Sequence, residues 1–285
     1  MTLKAARHCN AALNPLHSLI YFAPEAEREY TAIGLEPGGM GYFASRSAAM
    51  GAVGAGTVAA TFYNFNPALI ARFIPRAWEA AQPSAVLDAR LRAVEGALRR
   101  VLGEDAADDP EVAEAAALAA TATEACAAPG RPMYAAHADL DAPKAPQLAL
   151  WHAAALLREH RGDGHITALA GAGLDGLEAL ITHTATGAAF TPDFARATRG
   201  WSQEEWDAGC ERLRERGLLD ADGALTPAGT ELRREIEDTT DRLAVDPYRH
   251  LGEAGTARLT EIAARLTRKA AENGAFPAGL SAAPK

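Results

Sequence analysis

The sequence predicts an all-α protein with one small β-hairpin. Apolar residues recur at helical spacing along most of the 285 residues, as in Leu87, Leu91, Val94, Leu98 and Val101. Helix-start signals recur as well, at Asn66-Pro67, Asp109-Pro110, Asp175-Gly176-Leu177-Glu178, Thr191-Pro192, Ser202-Gln203-Glu204-Glu205 and Thr226-Pro227. The one hairpin signal is Leu218-Leu219 and Ala224-Leu225-Thr226, joined by the turn residues Asp220-Ala221-Asp222-Gly223.

The first 35 residues read as two or three short helices. In the one opened by Asn14-Pro15, His17 and Tyr21 lie four apart on one face. A helix from Met40 to Met50 aligns Tyr42 with Arg46. The spaced glycines Gly51, Gly54 and Gly56 lack the preceding strand and the Lys-Ser/Thr of a phosphate loop. In the aromatic run Thr61–Pro67, Phe62 and Phe65 suit a core edge, whereas Tyr63 and Asn64 suit a pocket wall. Helices follow at 67–81, broken at Pro75, then at 85–102 and 110–126. The segment 127–146, with Pro129, Gly130, Pro132, Pro143 and Pro146, reads as a linker, so the domains are expected at 1–140 and 147–285.

A helix from Gln147 to Arg161, closed by Gly162, puts Trp151, His152 and Glu159 on its inward line, and Asp163 reads as the cap of the next helix. His160, Asp163 and His165 are metal-ligand residue types, but the cap occupies Asp163. His152 and His160 are eight residues apart, roughly 12 Å along a helix. No metal site and no cofactor is expected. Pro247 reads as a break, and a last helix over 253–273 buries Leu259, Ile262, Ala263, Leu266 and Ala270.

With 48% hydrophobic and 23% charged residues the chain can fill a core. A net charge of -9 and a pI near 5.4 disfavour nucleic acid and anionic membranes as non-specific partners. There is no run of about twenty apolar residues and no secretory signal, and Cys9, Cys126 and Cys210 are far apart. These features predict a cytoplasmic protein with reduced thiols.

From Thr191 to Leu243 the order helix, turn, helix, "RGLLDADGALTPAG", long helix resembles the MarR-type winged helix-turn-helix. The phrases "LWHAAALLREHRGDGH", "RGWSQEEW" and "HSLIYFAPE" resemble an uncharacterised actinobacterial helical protein family. The MarR resemblance implies a wing, DNA as a partner through the second helix, and a homodimer built on terminal helices. Charge opposes the DNA part. Between Thr191 and Val245 there are eight Arg and no Lys against thirteen Asp or Glu, and the groove-facing start of the second helix carries Glu204, Glu205 and Asp207.

The reading is therefore a helical N-terminal domain plus a degenerate, acidic winged helix used as scaffold. A small-molecule site is expected between the halves, drawn from His17, Tyr21, Tyr42, Arg46, Tyr63, Asn64, Trp151, His152 and Glu159. The alternative is a ligand-responsive DNA-binding regulator whose contacts come from Arg196 and Arg199. A third reading is a cofactor-independent enzyme in which His152 and Glu159 orient a proton acceptor.

Overall fold

The computed structural model describes residues 1–187 and 191–277. In chain order the helices are α1 Leu3–Ser18, α2 Pro24–Ala32, α3 Gly39–Ser47, α4 Ala55–Phe62, α5 Pro67–Ala71, α6 Arg76–Ala80, α7 Pro83–Leu102, α8 Pro110–Thr123, α9 Pro132–Ala138, α10 Pro146–Gly171, α11 Gly176–Thr184, α12 Pro192–Arg199, α13 Gln203–Glu215, α14 Pro227–Ala244 and α15 Asp246–Glu272. Among the described residues no helix is long and apolar enough to cross a membrane.

The capping signals form as the sequence predicts. Asn66, Asp109, Asp175, Thr191, Ser202 and Thr226 each accept a backbone N–H from the first turn of α5, α8, α11, α12, α13 and α14 respectively. Asp175 with Glu178 and Ser202 with Glu205 close complete capping boxes. The expected hairpin wing does not form. The arms pair only at an antiparallel bridge, Leu219 to Leu225, flanked by backbone bonds from Asp220 to the Ala224 carbonyl at 2.9 Å and from Thr226 to the Leu218 carbonyl at 3.1 Å, and among the described residues no extended strand results. The expected turn does form, with the Asp220 carboxylate accepting the amides of Asp222 and Ala224, each at 2.9 Å.

Prolines and glycines misdirect the sequence reading in three places. Pro15 does not start a helix but sits inside α1, whose buried line of Ala6, Cys9, Leu13 and Leu16 keeps the helix continuous. The expected linker contains α9, because Pro132 occupies the first helical turn, where its missing N–H is no loss. Gly162 does not end α10, which runs 26 residues to Gly171. A Cβ at Gly164 would lie 3.3 Å from Leu243 Cβ, so the small residue lets α14 approach. Asp163 therefore caps nothing on its own helix. Its carboxylate accepts the Tyr134 amide at 2.9 Å and supports the first turn of α9 instead.

α10 packs against α1, α8, α9 and α14 and spans both buried clusters. Its first half, with Leu148, Trp151 and Leu157, lies in the larger cluster, and Ala168 and Leu169 lie in the smaller one formed with α11, α12, α13 and α14. The Leu259, Ile262, Ala263, Leu266 and Ala270 face of α15 is buried as expected. It packs on α1 and α8 of the same chain, so the stripe that the resemblance offered for dimerisation is taken up internally. Pro247 lies in the first turn of α15, whose only non-helical residue is Gly252.

At Gly176 of α11 an added Cβ would lie 1.9 Å from the Tyr63 carbonyl oxygen. Backbone cannot yield as a flexible side chain can. Gly176→Ala is expected to lower the unfolding free energy by about 2–3 kcal/mol in urea titrations. Gly171→Ala, with open space around it, is expected to be neutral or to stabilise by up to about 1 kcal/mol.

Candidate functional site

Between the clusters lies a cleft of about 290 Å³. One wall is Tyr42 and Arg46 of α3 with Thr61–Phe65. The other walls are Arg158, Asp163, His165 and Leu169 of α10, Leu180 and His183 of α11, Arg199 of α12 and Arg233 of α14.

The Thr61–Phe65 wall is built on a strained turn. Tyr63 has φ 52° and ψ -61°, and the Asn64 N–H donates to the Phe62 carbonyl at 2.7 Å, which is the geometry of a positive-φ γ-turn. Such a turn persists only where its surroundings over-determine it. Here the Tyr63 hydroxyl donates to the Leu174 carbonyl at 2.5 Å. The Trp201 indole N–H donates to the Asn64 carbonyl at 2.9 Å, and the Asn66 amide to the Arg199 carbonyl at 2.9 Å. Asn66 also directs its side-chain NH₂ at both Glu205 oxygens, at 3.2 and 3.3 Å. The stretch Tyr63–Asn66 thus holds the end of α12, the turn after it and the start of α13.

The cleft is cationic and aromatic. Arg46 lies 4.5 Å over the Phe62 ring, and Arg199 lies 4.9 Å over Phe65. Arg46 donates through Nε and Nη2 to the two Glu159 oxygens at 3.0 and 2.9 Å, and Arg158 Nη1 reaches Glu159 Oε2 at 2.6 Å. Burial alone would raise the Glu159 carboxyl, but Arg158 and Arg46 outweigh it and hold it well below the usual carboxylate range. Two guanidiniums on one carboxylate leave a positive excess. Arg233 adds to it: the residue is buried, Nη2 meets Glu237 Oε1 at 3.2 Å, and Nε and Nη1 have no hydrogen-bond partner. Asp163 is the acid opposite, and burial pushes its carboxyl up to about 6.

Of the nine residues expected at one site, Tyr42, Arg46, Tyr63 and Asn64 line this cleft. Glu159 lies behind it as the partner of Arg46. His17 and Trp151, both buried, form a chain of contacts with the half-buried Tyr21, which lines another hollow with Tyr42. His17 Nε2 is 3.0 Å from the Tyr21 hydroxyl, the His17 and Trp151 rings stack at 6.0 Å, and Tyr21 meets Tyr42 edge-on at 5.1 Å. His152 with Trp151 faces a different hollow, beside Arg90 and His137. The expected pairing of His152 with Glu159 is not made, since both Glu159 oxygens are held by arginines. Arg199, expected as a DNA contact, is half-buried with its guanidinium over Phe65. Arg199 and Arg233 were missed as cleft residues. The available signal was an arginine at core spacing, since Arg233 lies three residues before the buried Ile236.

The second helix of the expected DNA-binding unit, α13, exposes Gln203, Glu204, Asp207, Ala208 and Glu211. Its arginines are engaged within the chain. Arg212 bonds Glu178 at 3.1 Å and Asp175 at 3.0 Å, Arg216 bonds Glu178 at 2.9 Å, and Arg214 bonds Glu211 at 3.1 Å.

Burial lowers the pKa of three histidines to about 4: His137, His160 and His165. In the unfolded chain they titrate near the ordinary value of about 6.5. Between those values the unfolded state binds the more protons, so the stability they contribute is complete above pH of about 6.5 and is lost on acidification toward 4. Asp163, raised to about 6, works in the opposite direction over part of that range. The urea midpoint is expected to fall between pH 7 and about 4.5, and to fall more steeply in Asp163→Asn. A midpoint that is flat or rises on acidification contradicts this assignment.

No curated protein and no solved structure matches the chain. A family model described as a helix-turn-helix family matches residues 6–277, from α1 through the α12–turn–α13 unit to the end of α15. With nearly its whole length matched, this chain belongs to that helix-turn-helix family.

Proposed function

We propose that the protein binds a small organic anion in the cleft between its two buried clusters and that its helix-turn-helix unit responds to that ligand. The observation that carries this reading is the double use of Tyr63–Asn66. The strained turn that walls the cleft is also the stretch that holds Arg199, Trp201 and Glu205. A ligand that alters this stretch biases the position of α12 and α13, provided it prefers one arrangement over the other. The ligand class follows from the lining. Tyr42, Phe62 and Phe65 offer flat apolar surface, while Arg233 offers two unmet donors. In this reading the acidic outer face of α13 is not a DNA-reading surface.

The second reading is a ligand-responsive, MarR-like regulator that binds DNA, and membership of a helix-turn-helix family favours it. It requires phosphate contacts from outside α13, and a duplex must approach in spite of Glu204, Asp207 and Glu211.

Titration calorimetry with aromatic carboxylates and aryl phosphates is expected to find a binder that Arg233→Met weakens by about tenfold or more, the worth of a charge-assisted hydrogen bond. Binding that ignores Arg233→Met contradicts the cleft as the site. Duplex DNA from the gene's own upstream region, titrated from about 25 to 200 mM salt, is expected to show no sub-micromolar affinity at the low end. Tight, sequence-selective binding that falls steeply with salt supports the second reading instead.

A further inference from the structure

A second hollow, of about 250 Å³, lies away from the cleft between α7, the end of α9 with the chain after it, and α10. Its walls are the half-buried side chains of Leu87, Leu91, Leu140 and Pro143, and its floor is Arg90, His137 and Trp151, all buried. Arg90 is only 3% exposed. Among the described residues its one hydrogen bond is Nη1 to His137 Nε2 at 2.9 Å. The other imidazole nitrogen of His137 lies 2.9 Å from the Met133 carbonyl, so Nδ1 carries the proton and the ring meets Arg90 as a neutral acceptor. The Arg90 guanidinium also lies 4.9 Å over the Trp151 ring. Among the described residues no carboxylate is paired with it, and its Nε and Nη2 have no hydrogen-bond partner.

A cation buried without a counter-ion is strongly unfavourable, and a neutral imidazole with a ring face offsets only part of that. The unmet atoms are also specific. Nε and Nη2 form one side of the guanidinium fork, the side through which Arg46 holds Glu159 bidentately in this same chain. A carboxylate is the group whose two oxygens match that fork. Leu87, Leu91, Leu140, Pro143 and Ala155 make most of the remaining lining apolar, with His152 and Ser84 as its other uncharged polar members, and Asp88 and Asp141 stand exposed at the rim, where they repel multiply charged ligands.

We propose that this hollow is a second ligand site, selective for a monocarboxylic acid with an uncharged apolar tail, whose carboxylate pairs with Nε and Nη2 of Arg90. Protein atoms cover those two nitrogens in the unliganded arrangement, so entry parts the half-buried Leu87 and Leu91 at the mouth. The tail then lies against Leu140 and Pro143, and the ligand supplies the negative charge that the fold leaves out.

The test uses the full chain, with hexanoate and octanoate as probes and hexanamide and octanamide as uncharged controls. Binding is read by calorimetry and by the ¹⁵N shift of the Trp151 indole, whose N–H donates to the His17 carbonyl at 3.2 Å. At least one carboxylate is expected to bind and its amide not to. Arg90→Met is expected to weaken that binding by about thirtyfold or more, and Leu91→Trp, which fills the mouth and leaves Arg90 in place, to abolish it. Gly171→Ala, at a position that lines neither hollow, is expected to leave it unchanged. Equal binding of acid and amide, binding that survives Arg90→Met, or no binding by either probe each overturns the proposal.

Discussion

The structure depends on the seating of Tyr63–Asn66 against the α12–α13 turn. This four-residue stretch follows α4, in the larger cluster, and places a carbonyl, an amide and a side-chain amide on three residues of the unit that packs with the smaller one. The positive φ at Tyr63 is tolerated because these bonds and the Tyr63 hydroxyl leave the backbone no relaxed alternative. The same seating explains why Gly176 and Gly200 carry no side chain. Tyr63 oxygen and Leu69 Cβ stand 1.9 and 2.8 Å from where their Cβ atoms would be.

Around this seat lies an unusually polar interior. Arg46, Glu159 and Arg158 form a buried charged cluster, His17 and Tyr21 pair beside it, and Arg90 and Arg233 retain unmet donors. Such groups cost stability relative to an apolar core. The two hollows lined by arginines with unmet donors also gather apolar side chains, and on that juxtaposition both proposed sites rest. Association of polar anchors with apolar walls is the general form of a small-molecule site.

Local chemistry was legible in the sequence wherever a signal acted on its own neighbours. Six caps, two of them closed as capping boxes, form where the residues place them, whereas Asp163 and Asn14-Pro15 lie inside continuous helices. Signals that tertiary packing can override were misread. Gly162 looks like a helix end, yet α10 runs through it and Gly164 beyond it lets α14 approach, and the wing arms, joined through the expected turn at Asp220, pair at a single bridge. The site was half legible for a related reason. Tyr42, Arg46, Tyr63 and Asn64 stood out as polar groups on apolar stretches, whereas Arg199 and Arg233 looked like ordinary surface charges of an amphipathic helix. Only the contact between sequence-distant helices shows them turned inward. Charge, by contrast, reads the same in both. The acids of α13 face outward and its arginines are held by other side chains.

The central claim is that Tyr63–Asn66 fixes the helix-turn-helix unit, and native-state hydrogen exchange of Asn66→Asp tests it directly. Aspartate keeps the oxygen that caps α5 but removes the donor to Glu205 and sets a like charge against it. Loss of that bond is expected to speed exchange of α12 and α13 amides by about tenfold while α7 and α8 stay protected. If only the amides of residues 64–68 respond and α12 and α13 exchange as before, the segment does not hold the unit, and the cleft is uncoupled from it.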